Sequence, residues 1–134
     1  MGVKLGTEHI RAVGTFEEIT GVHVRDCLMD DTCAYFLIEP GKMGLAIGKN
    51  GSTIKSVERA MGKTIKIFEY SDNAEGLLRN MIPSIKTLDM SDDSIVITIP
   101  SSERSTVIGR NGRNIKAIRE FLKRHFKINN LKLK

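Results

Sequence analysis

The sequence has no tryptophan, two cysteines, three prolines and only five Phe and two Tyr among 134 residues. So few rings leave little material for a binding surface of the kind that stacks bases on aromatics displayed across a sheet. Two cysteines cannot complete a zinc site without further ligands close by. Cys27 and Cys33 flank a turn, and the expectation is a pair of reduced thiols packed in strands. Long hydrophobic runs are also missing: stretches such as Leu45-Ala46-Ile47 are far too short to cross a bilayer as a helix. Met1-Gly2-Val3-Lys4 leads into no signal-peptide core, so the expected location is the cytoplasm, with no membrane partner. Catalytic constellations are lacking as well. His9, His23 and His125 are scattered, with no Ser or Cys at a recognisable spacing. Asp30-Asp31 and Asp92-Asp93 sit where turns are expected, which is ordinary use of aspartate. Neither an enzyme nor a cofactor or metal site is expected.

What is present is a folded composition, 40% hydrophobic and 28% charged, with a net charge of +5. The charge is unevenly placed. Residues 1–70 carry nine Lys/Arg against nine Asp/Glu, and residues 71–134 carry twelve against seven. From 104 to 134 ten basic residues face only Glu120; from 40 to 67 six face only Glu58; from 17 to 39 six acidic residues face only Arg25. Each basic stretch alone could be a solvated helix face, but two at matching places point to a polyanion.

The matching places belong to an internal repeat. Ile47-Gly-Lys-Asn-Gly-Ser-Thr-Ile-Lys-Ser-Val57 recurs as Ile108-Gly-Arg-Asn-Gly-Arg-Asn-Ile-Lys-Ala-Ile118, with six of eleven positions identical at an offset of 61. Upstream, Phe36-Leu-Ile-Glu-Pro40 aligns with Val96-Ile-Thr-Ile-Pro100 at an offset of 60. Downstream, Ile65-Lys66-Ile67 aligns with Phe126-Lys127-Ile128. Two units follow, 1–70 and 71–134. In the first, Ile10, Val13, Phe16 and Ile19 mark a helix. Strands are expected over 22–29 and 33–38, a short helix over about 41–47, a second with Ile54, Val57 and Met61 inward, and a strand over 64–70. In the second, Asp72-x-x-Glu75 reads as a capping box opening a helix that Pro83 ends. Strands near 84–90 and 94–99, a short helix to 108, a longer one with Ile115, Ile118, Leu122 and Phe126 inward, and a strand over 127–133 complete it. Each unit reads αββααβ, an α+β domain with a three-stranded sheet against helices.

Gly-x-x-Gly occurs three times, where twelve glycines would give about one by chance. Gly41-Lys-Met-Gly44 has no repeat partner and is set aside. Asn-Gly is also a hairpin signal, but helical spacing follows both remaining copies. A nucleotide P-loop fails on spacing, because only three residues separate Gly44 from Gly48 and Asn50 stands where a magnesium-binding hydroxyl is needed. What helix–Gly-x-x-Gly–helix offers is close approach to a sugar-phosphate backbone at the positive end of a helix dipole. The candidate residues are Ile47, Gly48, Lys49, Asn50, Gly51, Ile54 and Lys55, and Ile108, Gly109, Arg110, Asn111, Gly112, Arg113, Ile115 and Lys116. In this reading Lys49-Asn50 and Arg110-Asn111 supply a cation and an amide, Lys55 and Lys116 follow one turn later, and the isoleucines line a groove for bases or belong to the core.

Ile-Gly-x-x-Gly-x-x-Ile between helices resembles the KH RNA-binding signature, here in tandem. Two strands before each motif, and room for one helix and one strand after Gly112, match the type II order of elements. Across nearly the whole chain, notably Asp26-Cys27-Leu28, Met43-Gly-Leu-Ala-Ile-Gly-Lys49 and Glu69-Tyr-Ser-Asp72, the sequence is similar to archaeal NusA-like transcription factors. That resemblance implies two tandem type II KH domains and non-enzymatic binding of single-stranded RNA in transcription elongation, termination or antitermination. The two Gly-x-x-Gly loops would clamp the RNA backbone in a protein expected to be a monomer, with RNA polymerase as a candidate partner. Bacterial relatives also carry an N-terminal polymerase-binding domain and an OB-fold domain, for which these residues have no room. A ribosome-associated or RNA-processing KH protein is the alternative; a nucleotide-binding enzyme is a more distant one.

Overall fold

One succession of elements occurs twice in the computed structural model, which describes residues 6–134; Met1-Gly2-Val3-Lys4 lies outside them. The chain divides into two compact units, the first ending at Tyr70 and the second beginning at Ser71.

The first unit opens with helix α1 (Thr7–Thr20), closed by Gly21 in the left-handed conformation, whose N–H bonds the Glu17 carbonyl. Strands β1 (Val24–Met29) and β2 (Cys33–Ile38) follow, then the short helix α2 (Met43–Ile47), helix α3 (Ser52–Met61) and strand β3 (Thr64–Glu69). The sheet order is β1-β2-β3, with β1 antiparallel and β3 parallel to β2. The Asp30 carboxylate makes the β1–β2 turn by accepting the N–H groups of Thr32 and Cys33 at 2.9 and 2.8 Å. β2 is the central strand and every one of its residues is buried, as its unbroken apolar sequence requires. Ala34, Phe36 and Ile38 face a core completed by Ala12, Phe16, Ala46, Val57 and Ile65. The Phe16 and Phe36 rings stack with centroids 4.3 Å apart, fastening α1 to the sheet. Cys27 and Cys33 are buried in β1 and β2. Outward along β1, the Glu17 carboxylate accepts the Val24 N–H and the Asp26 carboxylate the Cys27 N–H, both at 2.8 Å.

The second unit runs through α4 (Ala74–Met81), β4 (Thr87–Ser91), β5 (Ser94–Thr98), α5 (Arg104–Ile108), α6 (Arg113–Phe126) and β6 (Asn130–Leu133). Its sheet order, β4-β5-β6, and its antiparallel and parallel pairings repeat those of the first. α6 packs against α4 and α5. Both units therefore have the α+β, αββααβ architecture that was expected, each a three-stranded sheet packed against helices.

Four details depart from the sequence reading. Ile10 is 70% exposed; α1 turns Ala12, Phe16 and Thr20 inward instead, and Thr20 joins them because its hydroxyl is satisfied by the Phe16 carbonyl at 2.8 Å. The cap of α4 is Asn73, whose side chain accepts the Gly76 N–H at 2.7 Å, while Glu75 pairs with Arg79 one turn on. Phe36 corresponds to Ile97 and not to Val96: the core face of β5 is Ile95 and Ile97, so the offset of 61 already holds in this strand. Aligning Pro40 with Pro100 slipped the strand by one residue and turned its faces over. Finally, Ile65 corresponds to Leu131, since each pairs with its central strand at the equivalent position, Ala34 and Ile95. The cause is α6, 14 residues long where α3 has 10, so that Phe126 is still helical, Lys127 closes the helix and the strand begins only at Asn130. Among the described residues no helix is long and apolar enough to cross a membrane.

Candidate functional site

The two motifs fold into the same turn, almost torsion for torsion. α2 ends at Gly48 with φ +77° and ψ 172°, and α5 ends at Gly109 with φ +79° and ψ 169°. Asn50 and Asn111 take φ/ψ of 56°/27° and 58°/25°, and Gly51 and Gly112 take 73°/15° and 71°/14°. A single 3₁₀ turn closes each loop, with the Gly51 N–H on the Gly48 carbonyl and the Gly112 N–H on that of Gly109, both at 3.1 Å. Behind them the Gly48 and Gly109 N–H groups bond the carbonyls of Gly44 and Ser105 at 2.9 Å. The loops thus hold their shape with bonds of their own.

The two glycines of a motif are needed for different reasons. A Cβ on Gly48 would meet Thr53 Oγ1 and lie 2.7 Å from Thr53 Cβ and 2.8 Å from its backbone N; on Gly109 it would lie 2.7 Å from Asn114 Cβ and 2.9 Å from its N. The first glycine is therefore demanded by the helix that follows, inside the protein, as well as by a φ/ψ pair essentially restricted to glycine. A Cβ on Gly51 would come no closer than 4.0 Å to Ile54 and Lys55, and one on Gly112 would meet nothing within 4 Å. Here the space above the backbone is open, and the left-handed φ is the only local demand. The middle asparagines also acquire a conformational reason, since Asn adopts the left-handed region more readily than most residues.

Both loops deliver the chain into a helix left uncapped. α3 and α6 start behind Gly51 and Gly112, without a side-chain cap and without an acidic residue in the first turn. α4, by contrast, has the Asn73 cap and Glu75. The positive ends of α3 and α6 are thus unneutralised by their own sequence. Lys49, Asn50, Lys55, Arg110, Asn111 and Lys116 are exposed. Among the described residues no ion pair or side-chain hydrogen bond engages Lys49, Lys55, Arg110 or Lys116. Elsewhere in the basic stretches, cations have structural work: Lys63 donates to the Asp30 carbonyl at 2.7 Å, and Arg119 to that of Leu131 at 3.0 Å.

Of the isoleucines, Ile47 is exposed, Ile54 and Ile108 are half-buried, and Ile115 is 6% exposed. Ile115 belongs to the core and cannot line a groove. Arg113 is half-buried at the start of α6. The residue that the sequence reading missed is Asn114, buried, with its amide donating to the Val107 carbonyl at 3.0 Å and so tying α6 to α5 across the loop. Its signal was a lone polar side chain on the otherwise apolar inward face of α6. Among the described residues no group of three or more His, Cys, Asp or Glu could hold a metal.

Residues 13–75 and residues 94–129 each match the KH domain family. A Methanocaldococcus jannaschii protein named probable transcription termination protein NusA is 36% identical, over 98% of this chain and 75% of its own length. A Halococcus morrhuae protein of the same name is 30% identical over 99% of both. The crystal structure of APE1850 superposes with a TM-score of 0.78 at 29% identity, covering 97% of this chain and all of that one. Two KH domain matches in one chain, with relatives at 30% identity or more aligned over nearly all of it, place this chain in the archaeal NusA-like family.

Proposed function

We propose that the protein binds single-stranded RNA at its two Gly-x-x-Gly loops and acts, like the relatives so named, in transcription termination. The observation that carries this reading is the turn built twice on the same torsions, open above its second glycine and leading into an uncapped helix. A sugar-phosphate backbone lies against Gly51 and Gly112, with phosphates toward the starts of α3 and α6 and toward Lys49, Lys55, Arg110 and Lys116. At roughly four nucleotides per KH domain, the two loops together take about eight. The reading involves no chemical step. It extends to action on nascent transcripts during elongation or antitermination, in the cytoplasm, as a monomer near RNA polymerase.

The test is titration of the protein with fluorescent single-stranded RNA. Lys49→Asp with Asn50→Asp, and Arg110→Asp with Asn111→Asp, should each weaken binding at least tenfold and leave the melting temperature nearly unchanged, because Asp also tolerates the left-handed conformation. Wild-type affinity in both double variants would exclude the loops as the RNA site. Crosslinking and sequencing of bound RNA in cells should recover nascent transcripts; ribosomal RNA would favour the ribosome-associated alternative.

A further inference from the structure

α1 carries a glycine that the fold does not require. Gly14 stands in mid-helix, where glycine is weaker than alanine, yet its φ is not positive and a Cβ there would meet nothing within 4 Å. What its missing side chain does is open a groove. Gly14, Ile10, Val13 and Glu17 of α1 line it with Val24 and Cys27 of β1, around a volume of about 420 Å³. Val24 and Cys27 are buried. Ile10, one turn before Gly14 on the same side of α1, is 70% exposed, the most exposed large hydrophobic residue among those described.

The groove is also acidic, in a chain that is basic as a whole. Glu17 and Asp26 line it, both half-buried. Glu17 makes its contacts through Oε2, which accepts the Val24 N–H at 2.8 Å and lies 3.1 Å from His23 Nδ1, so Oε1 is left for an incoming donor. Arg25 does not offset these carboxylates, because its guanidinium pairs with Glu39 at 3.3 Å and lies 4.1 Å from the centre of the Tyr70 ring. The stretch from 17 to 39, six acidic residues against Arg25, repels a polyanion. β1 is an edge strand, but the Val24 and Cys27 N–H groups are held by the Glu17 and Asp26 carboxylates, so an added strand would find those donors taken. The occupant must therefore be recognised through its side chains.

We propose that this groove receives a basic segment of a partner protein, with an aliphatic side chain seated beside Ile10 in the space above Gly14 and a lysine or arginine against Glu17 and Asp26. Seating that side chain removes Ile10 from water, and half-buried carboxylates hold a cation more firmly than fully solvated ones. The proposal stands apart from the RNA-binding reading.

The test uses the full chain, a synthetic hexapeptide Lys-Arg-Leu-Leu-Lys-Arg, and Glu-Asp-Leu-Leu-Glu-Asp as its control. In amide NMR spectra the basic peptide should shift Val13, Gly14, Val24 and Cys27, with an affinity that falls as salt rises. Gly14→Leu fills the groove from outside the core; it should weaken the peptide at least tenfold while the melting temperature holds or rises. Glu17→Gln, whose amide oxygen can still accept the Val24 N–H, should weaken it several-fold. Single-stranded RNA should leave the four signals in place and bind both variants as it binds the unsubstituted chain. The proposal is overturned if the basic peptide does not bind, if both variants bind it unchanged, or if the acidic peptide binds equally well. RNA that shifts the four signals would assign the groove to the RNA path and overturn it too. A chain that binds the peptide but no RNA would overturn the RNA-binding reading and leave this one standing.

Discussion

The first glycine of each motif is fixed by a neighbour inside the protein, the second by backbone conformation under open space. Alanine should separate them. Gly48→Ala, which drives a Cβ into Thr53 at φ +77°, should cost about 2 kcal/mol or more of stability. Gly51→Ala, which meets nothing closer than 4.0 Å, should cost about 1 kcal/mol. The order reverses for RNA: Gly51→Ala should weaken binding more than its small loss of stability accounts for, because its methyl group stands where the backbone of the ligand is to lie. Denaturant unfolding followed by RNA titration under folded conditions reads both quantities on the same samples. Equal stability losses would mean that the following helix yields to the added methyl at Gly48.

Helix caps belong to the next scale. Asn73 holds the start of α4 through the Gly76 N–H, and Asp72, one residue earlier, makes no such bond. Asn73→Ala should therefore lower the stability of the second unit by about 1 kcal/mol, and Asp72→Ala by a few tenths, as read by chemical denaturation. Asp72-x-x-Glu75 and Asn73-x-x-Gly76 are offset by one residue, and the capping-box pattern favours the pair ending in glutamate. The order of elements was legible because it was written twice, so that turn signals weak in one copy were supported by the other. The strand 33–38, the strand expected over 64–70 and found over 64–69, and the helix after Gly51 follow directly from apolar spacing closed by Asp30-Asp31-Thr32 or Gly62. Illegible were features that depend on length or parity: the extra turn of α6, the face of β5, and the full burial of Ile115 where Ile54 stays half-buried. A residue pattern of the same type serves both outcomes, and the packing around the helix decides. The loops themselves were legible as loops, whereas the collision that fixes Gly48 and Gly109 appears only when the chain is folded.

Taken as a whole, the molecule concentrates its positive charge by unit and by element, not uniformly. The excess of five over the full sequence lies in residues 71–134, and each unit places two exposed, unengaged cations, Lys49 and Lys55 or Arg110 and Lys116, at its loop and in the helix behind it. Covalent linkage alone then raises the effective concentration of the second loop once the first has bound, whatever the linker geometry allows beyond that. The internal bonds that close each loop, Gly51 to Gly48 and Gly112 to Gly109, carry a further consequence for time and not for affinity. A loop already shaped has no ordering step to complete after encounter. In stopped-flow mixing, the observed association rate should rise in proportion to RNA concentration across the accessible range, limited by diffusion and steering. A plateau at high RNA would expose a slow rearrangement that the closed turns are built to avoid.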